Sequence, residues 1–157
     1  MQLWIIDLTK DFSNFIDCGH DPRVVEGGDY RKACSALPLW DMYSEALLSR
    51  FYEPVRAGDL SGSTSSGKQG NPTCGDVVEI AIRMNDGIIQ EARFRTLGCA
   101  IAIAASDLIC ELAEGMTVTG AHVIDAPKIS EALGGITAER WQCIAAPLAA
   151  LQDALST

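Results

Sequence analysis

The chain has 157 residues, 48% of them apolar, and a formal net charge of −9. That length carries one domain with a core of ordinary size and no need of disulfide staples, and the apolar fraction argues against a disordered chain. The acidic balance speaks against nucleic acid and anionic membrane as partners, because both require clustered Lys and Arg. No apolar run approaches the roughly 20 residues that span a bilayer. The Leu3–Ile6 patch is too short, and lacks the positive flank, for a secretory signal. The expectation is a cytoplasmic protein, in which six cysteines are thiols or metal ligands rather than disulfides.

Residues 1–41 mix aromatic side chains, scattered charge and turn formers such as Asp21-Pro22 and Gly27-Gly28, with no sustained helical or strand period. They read as an appendage, disordered or outside a true start at Met42, with a compact domain over 42–157. Tyr43, Leu47, Leu48, Phe51 and Tyr52 then fall on one helical face. The Gly- and Ser-rich stretch 58–73 predicts a flexible loop. Residues 77–84 alternate as a half-buried strand, Asn85-Asp86-Gly87 forms a hairpin turn, and 88–96 returns. From Cys99 the period turns helical through Ile101, Ala104, Ala105, Leu108, Ile109 and Leu112, and Gly115 stops it. Short helices are expected over 118–125 and 127–133, the second opened by Pro127 and closed by Gly134-Gly135. The last helix covers 139–155, with Pro147 kinking it or marking its real start. Strands followed by helices predict an α+β fold, with a small antiparallel sheet packed against several helices and a long helix at the C-terminus.

Three cysteines stand in settings that suit a ligand. Cys74 lies in the loop Gly70-Asn71-Pro72-Thr73-Cys74-Gly75-Asp76, where it has little packing to do and Asp76 follows closely. Cys99 opens a helix, where unpaired N–H groups and the helix dipole favour a thiolate. Cys143 has Arg140 three residues before it, and a nearby guanidinium would favour its thiolate too. Three thiols and a carboxylate can make a four-ligand site for zinc or iron. Whether they converge stays open at this level: a turn cysteine, a corner residue and a core position on an amphipathic helix are the plainer readings. Cys110 reads as a small core residue, His122 as structural or exposed, and Cys18, Cys34 and His20 match no metal framework.

In this order and spacing, the motifs resemble the IscU/NifU-type iron–sulfur cluster assembly scaffolds. The likeness covers about Met42 to Leu155. It includes the Tyr43-Ser44-Glu45 helix, a Tyr-x-x-Pro-like element at 52–55, and Asn71-Pro72-Thr73-Cys74-Gly75-Asp76. The hairpin followed by Ala92-Arg93-Phe94, the run Gly98-Cys99-Ala100-Ile101-Ala102 and the cysteine of the final helix complete it. The resemblance implies a SufE/NifU-like architecture and a carrier without ordinary turnover. Cys74, Cys99 and Cys143 would hold a transient 2Fe–2S cluster. Asp76 would make it labile, since a carboxylate is a harder, more exchangeable ligand than a thiolate. Sulfur would arrive as persulfide from a cysteine desulfurase, onto Cys143. Iron and electron donors and recipient apo-proteins are the other implied partners.

The chain departs from the family pattern in two places. Gln142 replaces the usual histidine before the last cysteine, and glutamine is a poor substitute for imidazole as a ligand. Ile136-Thr137-Ala138-Glu139-Arg140 replaces the chaperone-binding Leu-Pro-Pro-Val-Lys, so docking of a DnaK-type chaperone is not carried over. The missing histidine and the Asn-Pro-Thr-Cys-Gly-Asp loop resemble the SufU-type branch, whose members bind zinc and accept sulfur from a desulfurase. That branch has an extra segment between its second and third cysteines; the interval from Cys99 to Cys143 has no room for it. The scaffold is therefore the favoured reading and the zinc-dependent sulfurtransferase partner the alternative. The pathway served, the recipients and the oligomeric state, a homodimer included, are not legible.

Overall fold

The computed structural model describes residues 42–156. The expectations for residues 1–41 (an appendage, a start at Met42, and Cys18, Cys34 and His20) lie outside the described residues. The first helix, α1 (Glu45–Tyr52), begins because the Ser44 hydroxyl accepts the Leu47 N–H at 3.1 Å, an N-cap. It buries Leu47 and Leu48 completely, with Tyr43, Phe51 and Tyr52 packed at the margin, the face that the sequence marks.

Three strands follow: β1 (Ser65–Asn71), β2 (Asp76–Asn85) and β3 (Ile88–Leu97), antiparallel in the order β1-β2-β3. Val78, Ile80 and Ile82 from β2 and Ile89, Ala92 and Phe94 from β3 form the buried face. Asp86 and Gly87 both take positive φ, 52° and 75°, as a two-residue turn between twisted strands requires.

β1 corrects the reading of 58–73 as a flexible loop. Its residues are polar and carry no strand propensity of their own; pairing with β2 from Ser65↔Ile82 to Asn71↔Asp76 makes the strand. The last helix, α5 (Gln142–Leu155), packs against it. Gly67 allows that contact, since a Cβ there would run into the Ala150 carbonyl and the Ala154 nitrogen. Ser65 Oγ donates to the Ala154 carbonyl at 2.6 Å, and the Asp153 carboxylate accepts the Lys68 N–H at 3.1 Å.

α2 (Ala100–Ala113) is the central helix, and Gly115 follows it at φ 82°. Burial extends round the whole stretch from Ile101 to Cys110 rather than along the single face expected, because α2 packs against the sheet, α1 and α5 at once. α3 is a single turn (Val118–Ala121), shorter than 118–125. α4 (Ala126–Ala132) is capped by Asp125, has Pro127 in its first turn, and ends before Gly134 and Gly135 at φ 85° and 89°. A 3-10 turn (Ala138–Arg140) leads into α5, and Pro147 lies inside that helix without marking its start. The missing proline N–H leaves the Cys143 carbonyl without its usual helical donor. The far edge of β3 is covered by backbone from two loops: Phe94 N–H donates to the Arg56 carbonyl at 3.0 Å and Ile89 N–H to that of Met116 at 2.9 Å.

Candidate metal centre

The site is built where three chain corners meet. The first is the β1–β2 hairpin loop. The Asn71 side-chain oxygen accepts the Thr73 N–H at 3.0 Å, the Asn71 carbonyl accepts the Gly75 N–H at 2.8 Å, and Gly75 takes φ 73°. This Asx turn presents Cys74 and delivers Asp76 as the first residue of β2, only 1% exposed. The second corner joins β3 to α2. There the Cys99 N–H donates to Asp76 Oδ1 at 3.0 Å. Gly98 leaves room for that carboxylate, since a Cβ would lie 2.6 Å from Oδ1. The third is the first turn of α5, which carries Cys143.

The corners bring Cys74 Sγ to 3.6 Å from Cys143 Sγ. The ligand atoms of Cys74, Asp76 and Cys143 all lie within 4.8 Å of one another. Cys99 falls outside that tight trio, yet its thiol is electrostatically linked to that of Cys143. Cys74 and Cys99 are partly exposed, while Cys143 is enclosed at 4%. Solvent thus reaches the group past Cys74 and Cys99.

The model of the NifU-like N terminal domain matches residues 42–157. The chain belongs to the NifU-like N-terminal domain family. The chain is similar to the "iron-sulfur cluster assembly scaffold protein IscU 1" of Archaeoglobus fulgidus, 37% identical over 102 residues, which are 65% of this chain and 67% of the relative. The protein of the same description from Escherichia coli K12, IscU, is 39% identical over 95 residues, 58% of this chain and 74% of its own length. Among solved structures, a candidate iron–sulfur cluster assembly scaffold for the SUF system from Fervidobacterium islandicum AW-1 superposes with a TM-score of 0.62. Its identity is 23%, over 73% of this chain and 97% of that one. The N-terminal part of a NifU-like protein from Brucella abortus gives a TM-score of 0.59 at 17% identity, over 74% and 93% of the two chains. Both confirm the α+β fold with its small antiparallel sheet and C-terminal helix.

In this NifU-like domain the donor set fits a metal. Asp76 Oδ2 is fully buried and has no hydrogen-bond partner, a costly state for a carboxylate oxygen that a cation would relieve. Burial raises the Asp76 pKa, and the Cys99 N–H and the Cys143 thiol partly offset the rise. Cys99 is lowered to about 7, chiefly because the Cys143 thiol donates to it, with the Ala102 and Ile101 N–H groups adding to the effect against burial. Cys143 is raised for the complementary reason, Cys99 beside it first, then burial and Cys74. The assignment follows from position: Cys99 is the N-cap residue of α2, facing unpaired N–H groups, while Cys143 is the more enclosed sulfur.

One expectation is corrected here. Arg140 does not activate Cys143: its guanidinium donates to the Tyr43 hydroxyl and lies 5.8 Å from that ring's centre. Cys110 is fully buried and its thiol pKa is pushed up by desolvation, as a core residue should be. His122 is exposed, facing Gln152. Two residues make contacts here that the sequence does not foretell. Gln142 stood only as a lost ligand, yet its side-chain N–H donates to Cys74 Sγ at 3.8 Å. Asn71 was part of a motif; an asparagine before Pro-Thr is an Asx-turn signal, but its second contact is not visible in one dimension.

Proposed function

We propose that this chain is a scaffold on which an iron–sulfur cluster is assembled from iron and desulfurase-derived sulfur and then passed to recipient proteins, with residues 42–157 as the working domain. The observation that carries it is the gathering of Cys74, Asp76 and Cys143 within 4.8 Å, beside the ionisable Cys99. The named relatives of the family support it. The cluster is cargo, a 2Fe–2S unit held by the three thiols and Asp76. Thiolates suit iron and sulfide, and the one oxygen ligand leaves a weak corner through which the cluster departs.

Sulfur acceptance falls to Cys143. The Cys143 sulfur attacks the outer sulfur of the desulfurase persulfide, its proton passes to the departing desulfurase cysteine, and Cys143 carries the persulfide. That sulfur needs two electrons to become sulfide, so an electron donor joins the iron donor as a partner. Anaerobic incubation with a cysteine desulfurase, cysteine and ferrous iron should give sulfur-to-iron charge-transfer absorption, which then passes to an apo-ferredoxin. No absorption in wild type, or unchanged assembly and transfer by Cys99→Ser, would sink the reading.

A second reading follows from the same compactness. A close Cys-Asp-Cys group without histidine also suits zinc, and the protein would then accept sulfur for a desulfurase without building a cluster. One tightly held zinc per chain, and desulfurase stimulation lost in Cys143→Ala, would favour it; cluster transfer decides between the two.

A further inference from the structure

Asn71 joins the two chain segments that carry the closest pair of sulfurs. Its side-chain oxygen accepts the Thr73 N–H at 3.0 Å, inside the Cys74 loop. Its side-chain nitrogen donates to the Gln142 carbonyl at 3.1 Å, the residue before Cys143. The amide orientation is fixed by its partners, because an N–H needs the oxygen and a carbonyl needs the nitrogen. The residue is 8% exposed, so water competes little for either bond. Without the second bond, the hairpin tip carrying Cys74 keeps only sulfur contacts to the start of α5: Cys74 Sγ to Cys143 Sγ at 3.6 Å and the longer Gln142 Nε2 to Cys74 Sγ approach at 3.8 Å.

We infer that Asn71 is a positioning residue that sets the spacing of Cys74 and Cys143, by bridging the hairpin tip to the first turn of α5 through the two ends of one buried amide. The inference deepens the scaffold reading and rests on it for its purpose: a bridge of one hydrogen bond holds the sulfurs for loading, and its opening frees the Cys74 corner for release. The Gln142 side chain works from the other side of the gap, as a donor to the Cys74 sulfur rather than as a ligand.

Two variants separate the bridge from the turn. Asn71→Ser keeps a hydroxyl for the Thr73 N–H but is too short to reach the Gln142 carbonyl. Asn71→Asp keeps shape and acceptor but sets an oxygen against that carbonyl. With metal-free, reduced protein, the rate of Cys74–Cys143 disulfide formation is followed with diamide, which takes up the two electrons and two protons, and the bond is mapped by mass spectrometry. Cobalt(II) titration reads the same geometry as affinity and as thiolate-to-cobalt absorption. Each variant should slow the cross-link and weaken cobalt binding about tenfold, the weight of one lost hydrogen bond, while keeping the wild-type circular dichroism spectrum. Should Asn71→Ser fail to fold, the isosteric Asn71→Asp decides. A folded variant that cross-links and binds cobalt like wild type overturns the bridge. Slowed variants in a protein whose wild type assembles no cluster would remove the scaffold reading and leave the bridge standing.

Discussion

At the scale of single residues, the site divides its labour between groups of similar chemistry. The neighbouring thiols of Cys99 and Cys143 are biased in opposite directions, Cys99 toward thiolate and Cys143 toward thiol. Thiolate is the form that alkylates, so in the metal-free protein Cys99 should react with iodoacetamide at a rate that rises with pH and levels off above about 7. Cys143→Ala removes the largest cause of that low value and should move the midpoint upward; an unmoved midpoint would show that the helix end acts alone. Asp76 is the other decisive residue. Replacing it with Ala removes the proposed oxygen ligand, and cluster transfer to an apo-ferredoxin should slow by about tenfold or more, the scale on which changes around a metal act. All four of these residues were legible as candidates, because a turn motif and a strand-to-helix corner leave marks in sequence. The opposite bias of the two thiols was not, since it depends on which sulfur is enclosed.

At the scale of elements, β1 and α5 define each other. A polar Gly/Ser stretch becomes a strand only because β2 supplies its ladder and α5 covers it. Gly67 is the pivot of that contact, and its neighbours are backbone atoms that cannot swing aside. Gly67→Ala should therefore destabilise the fold by about 1–3 kcal/mol, the usual cost of overpacking, read as a shift of the urea midpoint at unchanged slope. Because α5 carries Cys143, the same variant should weaken metal binding. Elements with local signals were readable: the Ser44 cap, the Asn85-Asp86-Gly87 turn, and the Asp125-Ala126-Pro127 start of α4. β1 was not, because its signal lies in the partner strand, which the ladder reaches from Ser65↔Ile82 to Asn71↔Asp76.

At the scale of the whole molecule, a buried charge ties the front of the described chain to the central helix. Asp107, 1% exposed on α2, accepts from Arg50 of α1 at 2.6 Å and from the Arg56 N–H at 2.9 Å. Arg50 also reaches Glu111 at 2.7 Å, so it keeps a partner if Asp107 is lost. Asp107→Ala should then cost about 1–3 kcal/mol, mainly from the stranded Arg56 N–H and the emptied pocket, measured by thermal or urea unfolding. A loss well below this range would mean that Glu111 replaces the tie. The contact lies on α2 about two turns from Cys99, so metal affinity should be spared.

The order of motifs along the chain was enough to assign the family and to name Cys74, Asp76, Cys99 and Cys143, because glycine turns, helix starts and apolar periods are local properties of the polypeptide. The distances among those four were decided by packing alone. How close two sulfurs stand, which of them keeps a proton, and which amide spans the gap between them depend on segments nearly seventy residues apart, such as Cys74 and Cys143. Only the folded core brings such segments together.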